Sequence, residues 1–118
     1  SVLQLEPIWI RLESHNYKTW EPRHVDDIYV TYEEANREQP LDGLILTGAP
    51  VETVNFEDVH YWNEISAILQ DARQTIPSTL GLCWAGFVMA YLEGVNKKHI
   101  VTSILLINKV MSLIKMVI

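Results

Sequence analysis

Residues 78–87, Ser-Thr-Leu-Gly-Leu-Cys-Trp-Ala-Gly-Phe, hold the one cysteine of the chain where a β-branched and apolar run meets small residues able to start a helix. A thiol at such a junction suits nucleophilic chemistry. A side chain on a sharp strand-to-helix turn projects above the sheet edge, and the first N–H groups of the following helix point at the same spot. Gly81 precedes Cys83 by two residues and Gly86 follows it by three, giving G-x-C-x-x-G, a spacing that lets backbones approach because glycine has no Cβ. The alternative reading of Cys83 is a buried apolar thiol that does no chemistry.

A cysteine that attacks a carbonyl needs donors for the developing oxyanion and a base that makes thiolate. Backbone N–H groups near Gly48 and Ala49 and at Trp84 are the candidate donors, since small residues that open a turn also let the backbone face a ligand. The plainer account of Gly48-Ala49-Pro50 is a simple turn. His15, His24, His60 and His99 are the histidines available as base, and none carries a spacing signature. They and Cys83 lack metal-ligand spacing such as C-x-x-C or H-x-x-x-H, so no metal is expected. Trp9, Trp20, Trp62 and Trp84 are scattered, as packing residues are, and no phosphate-cradling glycine motif occurs.

Alternating strands and helices must position these groups. Ile8–Leu12 alternates between Pro7 and a polar loop and predicts a first strand. Pro22 suits the first turn of a short helix through His24, Val25 and Ile28, with a second short helix at Tyr32–Arg37. The continuous apolar run Gly43–Thr47 predicts a strand buried on both faces. Val59, Trp62, Ile65, Ile68 or Leu69, and Ala72 recur at helical spacing, with Glu57 and Asp58 in that helix's first turn. Thr79–Leu82 is a strand, and a helix through Ala85, Val88, Met89 and Leu92 follows Cys83, capped by Gly94. This order predicts an α/β fold, a parallel sheet flanked by helices, whose ligands bind beyond the carboxyl ends of the strands. Gly48 and Cys83 both fall on that edge.

The chain has 118 residues and a formal net charge of -6, the size of one small domain. All 15 acidic residues lie at or before Glu93 with five of the nine basic ones, leaving the last 25 residues with four lysines and no acid. An acidic body argues against nucleic acid as a partner. One cysteine and no basic-then-apolar start fit a cytoplasmic protein without an internal disulfide. Thr102–Ile118 has the pattern of an amphipathic helix and Ile100–Ile107 equally that of a strand, while Lys109 and Lys115 argue against a membrane span.

The segments Asp42-Gly-Leu-Ile-Leu-Thr-Gly-Ala-Pro50, Phe56-Glu-Asp-Val59 with Tyr61-Trp62, and Ser78-Thr-Leu80 leading to Cys83-Trp84 closely resemble the homoserine O-acyltransferase family, also called homoserine transsuccinylases. The resemblance covers residues 7 to 95. It implies a class I glutamine amidotransferase-like α/β sandwich. It further implies that Cys83 forms an acyl-thioester, taking the acyl group from acyl-CoA and passing it to the hydroxyl of L-homoserine in methionine biosynthesis. Glu52 matches the position that distinguishes donors in the family, glycine going with succinyl-CoA and glutamate with acetyl-CoA. A carboxylate there repels the terminal carboxylate of a succinyl group, so acetyl transfer is favoured.

In the family the general-base histidine, its partner glutamate and the substrate-binding lysine, serine and arginine lie after the nucleophile, in a segment longer than the 35 residues that follow Cys83 here. Residues 1–96 therefore correspond to the N-terminal part of the catalytic domain. Residues 97–118 form a divergent apolar tail, as in a truncated or frame-shifted product. Two other readings stand beside the transferase: a glutamine amidotransferase-like cysteine hydrolase using Cys83, and a non-catalytic fragment whose tail pairs with another subunit in a homo-oligomer.

Overall fold

The computed structural model describes residues 4–17, 27–48 and 54–95. Its strands are β1 (Trp9–Ile10), β2 (Tyr29–Val30), β3 (Leu44–Leu46) and β4 (Thr79–Gly81), and three α-helices fall wholly within the described residues: α1 (Tyr32–Glu38), α2 (Trp62–Thr75) and α3 (Trp84–Leu92). The expected alternation of short strands and helices is present. None of these helices is long and apolar enough to cross a membrane.

Two compact units are distinguishable, one of Ser1–Leu44 with Val54–Thr79, the other of Ile45–Thr53 with Leu80–Ile118. In the first, β1 pairs in parallel with β2, Trp9 opposite Tyr29 and Ile10 opposite Val30, and the Arg11 N–H extends the ladder by donating to Val30 O at 3.0 Å. β2 was not foreseen. Two residues are too few to show a period of two, and the apolar Ile28 beside them reads as the end of a helix. The first strand is likewise shorter than Ile8–Leu12.

Helix α1 starts where Thr31 closes a capping box: its side chain accepts from the Glu34 N–H at 3.2 Å, and the Glu34 carboxylate accepts from the Thr31 N–H at 2.8 Å. Two of the helix's orphan donors are thereby satisfied. Helix α2 buries Ile65, Ile68, Leu69 and Ala72 along one stripe, as the spacing requires. Ile68 and Ala72 pack with Tyr32, Leu44 and Ile76 in a cluster flanked by Ile10, Leu12 and Leu41. The start of α2 differs from expectation. Glu57 and Asp58 belong to a separate 3-10 turn, Phe56–Asp58, and the Trp62 N–H bonds back to Val59 O before α2 proper begins.

Strands β3 and β4 form the second ladder. The Leu44 N–H donates to Ser78 O at 2.9 Å, and the Leu82 N–H donates to Leu46 O at 2.8 Å. Both partners advance together along the chain, so the strands run parallel. The expectation that the apolar run Gly43–Thr47 is buried on both faces is not met: Leu44 is 8% exposed, but Ile45 is 65% exposed. In the second unit α3 buries Trp84, Ala85 and Val88. It ends as foreseen at Gly94, whose φ of +87° lets its own N–H reach Tyr91 O while the Val95 N–H reaches Ala90 O. That crossed pair satisfies carbonyls left open at the helix end. The readings of the helix after Pro22 and of the tail lie outside the described residues, apart from Asp27 and Ile28, which are helical.

Candidate active site at the β4–α3 turn

Leu82 leaves β4 still bonded to β3, and one residue later α3 has begun. Cys83 therefore makes the whole turn. It does so with φ +54° and ψ −126°, the only positive φ at a non-glycine position among the described residues. An L-residue held there stores about 1–3 kcal/mol of strain, and such strain gathers where a side chain must be presented. The thiol is free and exposed. The reading of Cys83 as a buried apolar sulfur is thereby removed.

Neighbouring backbone explains how the bend is tolerated. A Cβ at Gly81 would lie 2.9 Å from the carbonyl of Ala85 and 2.6 Å from Met89 Sδ, and one at Gly86 would lie 3.1 Å from Gly81 O. The first turn of α3 is thus seated directly on the end of β4. The Ala85 N–H returns to Leu82 O at 3.2 Å and the Gly86 N–H to Cys83 O at 3.0 Å. Gly81 is required by this approach, while a Cβ at Gly86 would ask the Gly81 carbonyl to give by a few tenths of an ångström.

Gly48 does the same from β3. A Cβ on it would stand 2.6 Å from the Trp84 amide nitrogen and 2.8 Å from Cys83 Cβ. The end of β3 therefore meets the Cys83 turn at backbone contact, and the Trp84 amide, at the opening of α3, lies where the positive end of the helix dipole adds to its pull on an anion. Ala49 and Glu52, expected as second oxyanion donor and as selector of the acyl group, lie outside the described residues.

Among the candidate bases, His24 and His99 also lie outside the described residues. His15 and His60 are described, and the fold brings them to each other: Nδ1 of His15 is 3.2 Å from Nε2 of His60. Both belong to the first unit, Cys83 to the second. His15 is edge-on to Tyr17 and Tyr61, and burial, then the charge of His60, holds its pKa below the ordinary 6.5. Next to this pair Glu64 accepts from the Glu13 and Ser14 N–H groups, each at 2.8 Å, and from the Ser14 hydroxyl. Burial raises its pKa, but these bonds outweigh it and leave the carboxyl below 4.5. Sequence reasoning missed both arrangements. Their partners are separated by 45 to 51 positions, beyond any local spacing signal.

The profile of the family described as "Homoserine O-succinyltransferase" matches residues 1–111. Among curated proteins, the homoserine O-acetyltransferase of Jannaschia sp. (strain CCS1) is 40% identical over 100 residues, 84% of this chain and 32% of that protein. The homoserine O-acetyltransferase of Ruegeria sp. (strain TM1040) is 40% identical over 96 residues, 80% of this chain and 30% of that protein. That of Petrotoga mobilis (strain DSM 10674 / SJ95) is 35% identical over 99 residues, 83% of this chain and 32% of that protein. The chain spans about a third of the length of the curated relatives it matches.

Proposed function

The chain belongs to the homoserine O-succinyltransferase family, and from that premise we propose that Cys83 is the nucleophile of an acyl transfer from acyl-CoA to the hydroxyl of L-homoserine. The observation that carries this reading is the exposed thiol at φ +54°, on a turn fixed by backbone contact with Gly48 and Gly81. In the first half-reaction the Cys83 thiolate adds to the thioester carbonyl of acyl-CoA. Negative charge gathers on the carbonyl oxygen, where the Trp84 and Ala49 N–H groups stabilise it. Collapse breaks the bond to the CoA sulfur, which leaves as thiolate and takes a proton, and the acyl group remains on Cys83. In the second, the homoserine hydroxyl oxygen attacks that thioester, gives up its proton to a base, and expels the Cys83 thiolate. By the family resemblance, the base and the acceptor pocket follow the nucleophile in sequence.

Acetyl is the proposed acyl group. The relatives named above are homoserine O-acetyltransferases, and the family resemblance at Glu52 implies a carboxylate that would oppose the terminal carboxylate of a succinyl group. The whole enzyme acts in methionine biosynthesis in the cytoplasm, on a class I glutamine amidotransferase-like sandwich, without a bound cofactor.

Incubation of the chain with acetyl-CoA, succinyl-CoA and glutamine in parallel, followed by peptide mass spectrometry, tests the reading. An acetyl adduct confined to the Cys83 peptide and removed by hydroxylamine is expected. A glutamyl adduct there would replace the transferase with the amidotransferase-like hydrolase. Labelling that persists in Cys83→Ala would remove the nucleophile assignment.

A further inference from the structure

The two imidazoles of the first unit, His15 and His60, meet in a specific geometry. The ring planes are 22° apart, the centroids 5.2 Å apart, and the facing nitrogens 3.2 Å apart. With each nitrogen roughly 1.2 Å from its ring centre, a centroid separation this large relative to the N–N distance means that the rings meet edge to edge, nitrogen toward nitrogen, and are not piled face on face. Among the described residues neither nitrogen has a further hydrogen-bond partner, and His60 is exposed.

We propose that His15 and His60 form a two-imidazole site for a borderline divalent transition-metal ion of the Zn²⁺, Ni²⁺ or Cu²⁺ class, completed by water. An ion about 2.0–2.1 Å from each nitrogen closes a triangle on the observed 3.2 Å base with an angle at the metal of roughly 100–105°, near the tetrahedral value that zinc takes. Each ring must tilt to turn its lone pair from the opposite nitrogen toward the ion. His60 is exposed and edge-on to Tyr61, and His15 is edge-on to Tyr17 and Tyr61, so both tilts are made as pivots about those edge contacts. Neutral imidazole is the ligand these ions take, whereas Mg²⁺ and Ca²⁺ ask for oxygen. Among the described residues no group of three or more His, Cys, Asp or Glu converges, so the ion keeps water in its remaining positions and binds as a surface chelate.

Because Cys83 is itself an exposed soft ligand, the test uses the full chain with Cys83→Ser. Zinc chloride is titrated by calorimetry while the imidazole ring protons are followed by NMR, with magnesium chloride as control. One Zn²⁺ per chain is expected, with the ring signals of His15 and His60 shifting together and no response to Mg²⁺. His15→Gln and His60→Gln, which keep a hydrogen-bonding side chain, should each weaken binding about tenfold or more, the loss of effective concentration that a chelate provides. His24→Gln and His99→Gln should leave it unchanged. Zinc affinity unaltered by His15→Gln and His60→Gln, or ring shifts confined to His24 or His99, overturns the proposal.

Discussion

Gly48 and Trp84 are in backbone contact: the place a Gly48 Cβ would occupy is 2.6 Å from the Trp84 amide nitrogen. The atoms in the way are backbone and the stem of Cys83, not the tip of a flexible side chain. Gly48→Ala must therefore push β3 and the start of α3 apart. Overpacking of this kind costs about 1–3 kcal/mol, to be read from the urea midpoint. If Cys83 acts as proposed, acylation by acetyl-CoA should slow on the order of 10²-fold in the same variant as the turn is displaced, measured by the rate of CoA release.

The strain at Cys83 can be separated from its sulfur. Cys83→Ala keeps a Cβ at φ +54°, whereas Cys83→Gly relaxes that torsion at some cost in unfolded-chain entropy. The glycine variant should be the more stable of the two by about 1 kcal/mol, by thermal or chemical denaturation. Both should lose acetyl labelling. A glycine variant less stable than the alanine variant would mean that the turn carries no torsional strain.

Glu64 ties residues 13 and 14 to α2 through charge-accepting bonds. Its carboxyl titrates below 4.5 in the folded chain. Ionised Glu64 thus favours the folded state above that value, and the contribution is lost as pH falls through the lower, folded-state pKa. Glu64→Gln should cost about 1–2 kcal/mol at neutral pH, with solvent screening holding it to the lower end. The gap to the native chain should narrow from about pH 4.5 downward, as denaturation at a series of pH values will show.

At Thr31 and Glu34 the two capping bonds are reciprocal. Thr31→Ala removes the acceptor for the Glu34 N–H and should cost about 1 kcal/mol. Glu34→Ala removes the other bond. Because each bond holds the partner that makes the other, the double variant should cost less than the two single ones combined, a difference visible in a denaturation cycle.

The sequence made the turn at Cys83 legible because its signals are local. Gly81, Gly86, the apolar run before and the small residues after all lie within a few positions of the thiol, and each is used where its chemistry demands. The stripe on α2 and the Gly94 stop were readable for the same reason. What escaped depends on distant pairing. Tyr29–Val30 becomes a strand only because Trp9–Ile10 lies alongside, and no periodicity in two residues announces that. Gly43–Thr47 suggested a strand covered on both sides, yet Ile45 faces water, since an apolar run specifies the demand for burial and not its fulfilment. His15 and His60 carried no spacing cue because the fold alone joins them.

The perch under Cys83 is built by the glycines and the helix start around it, and owes nothing to sulfur. A hydroxyl placed at residue 83 would inherit the same pose, so scaffold and reagent can be varied separately in this molecule. Swapping the atom at that tip changes its reactivity while leaving the architecture that offers it untouched.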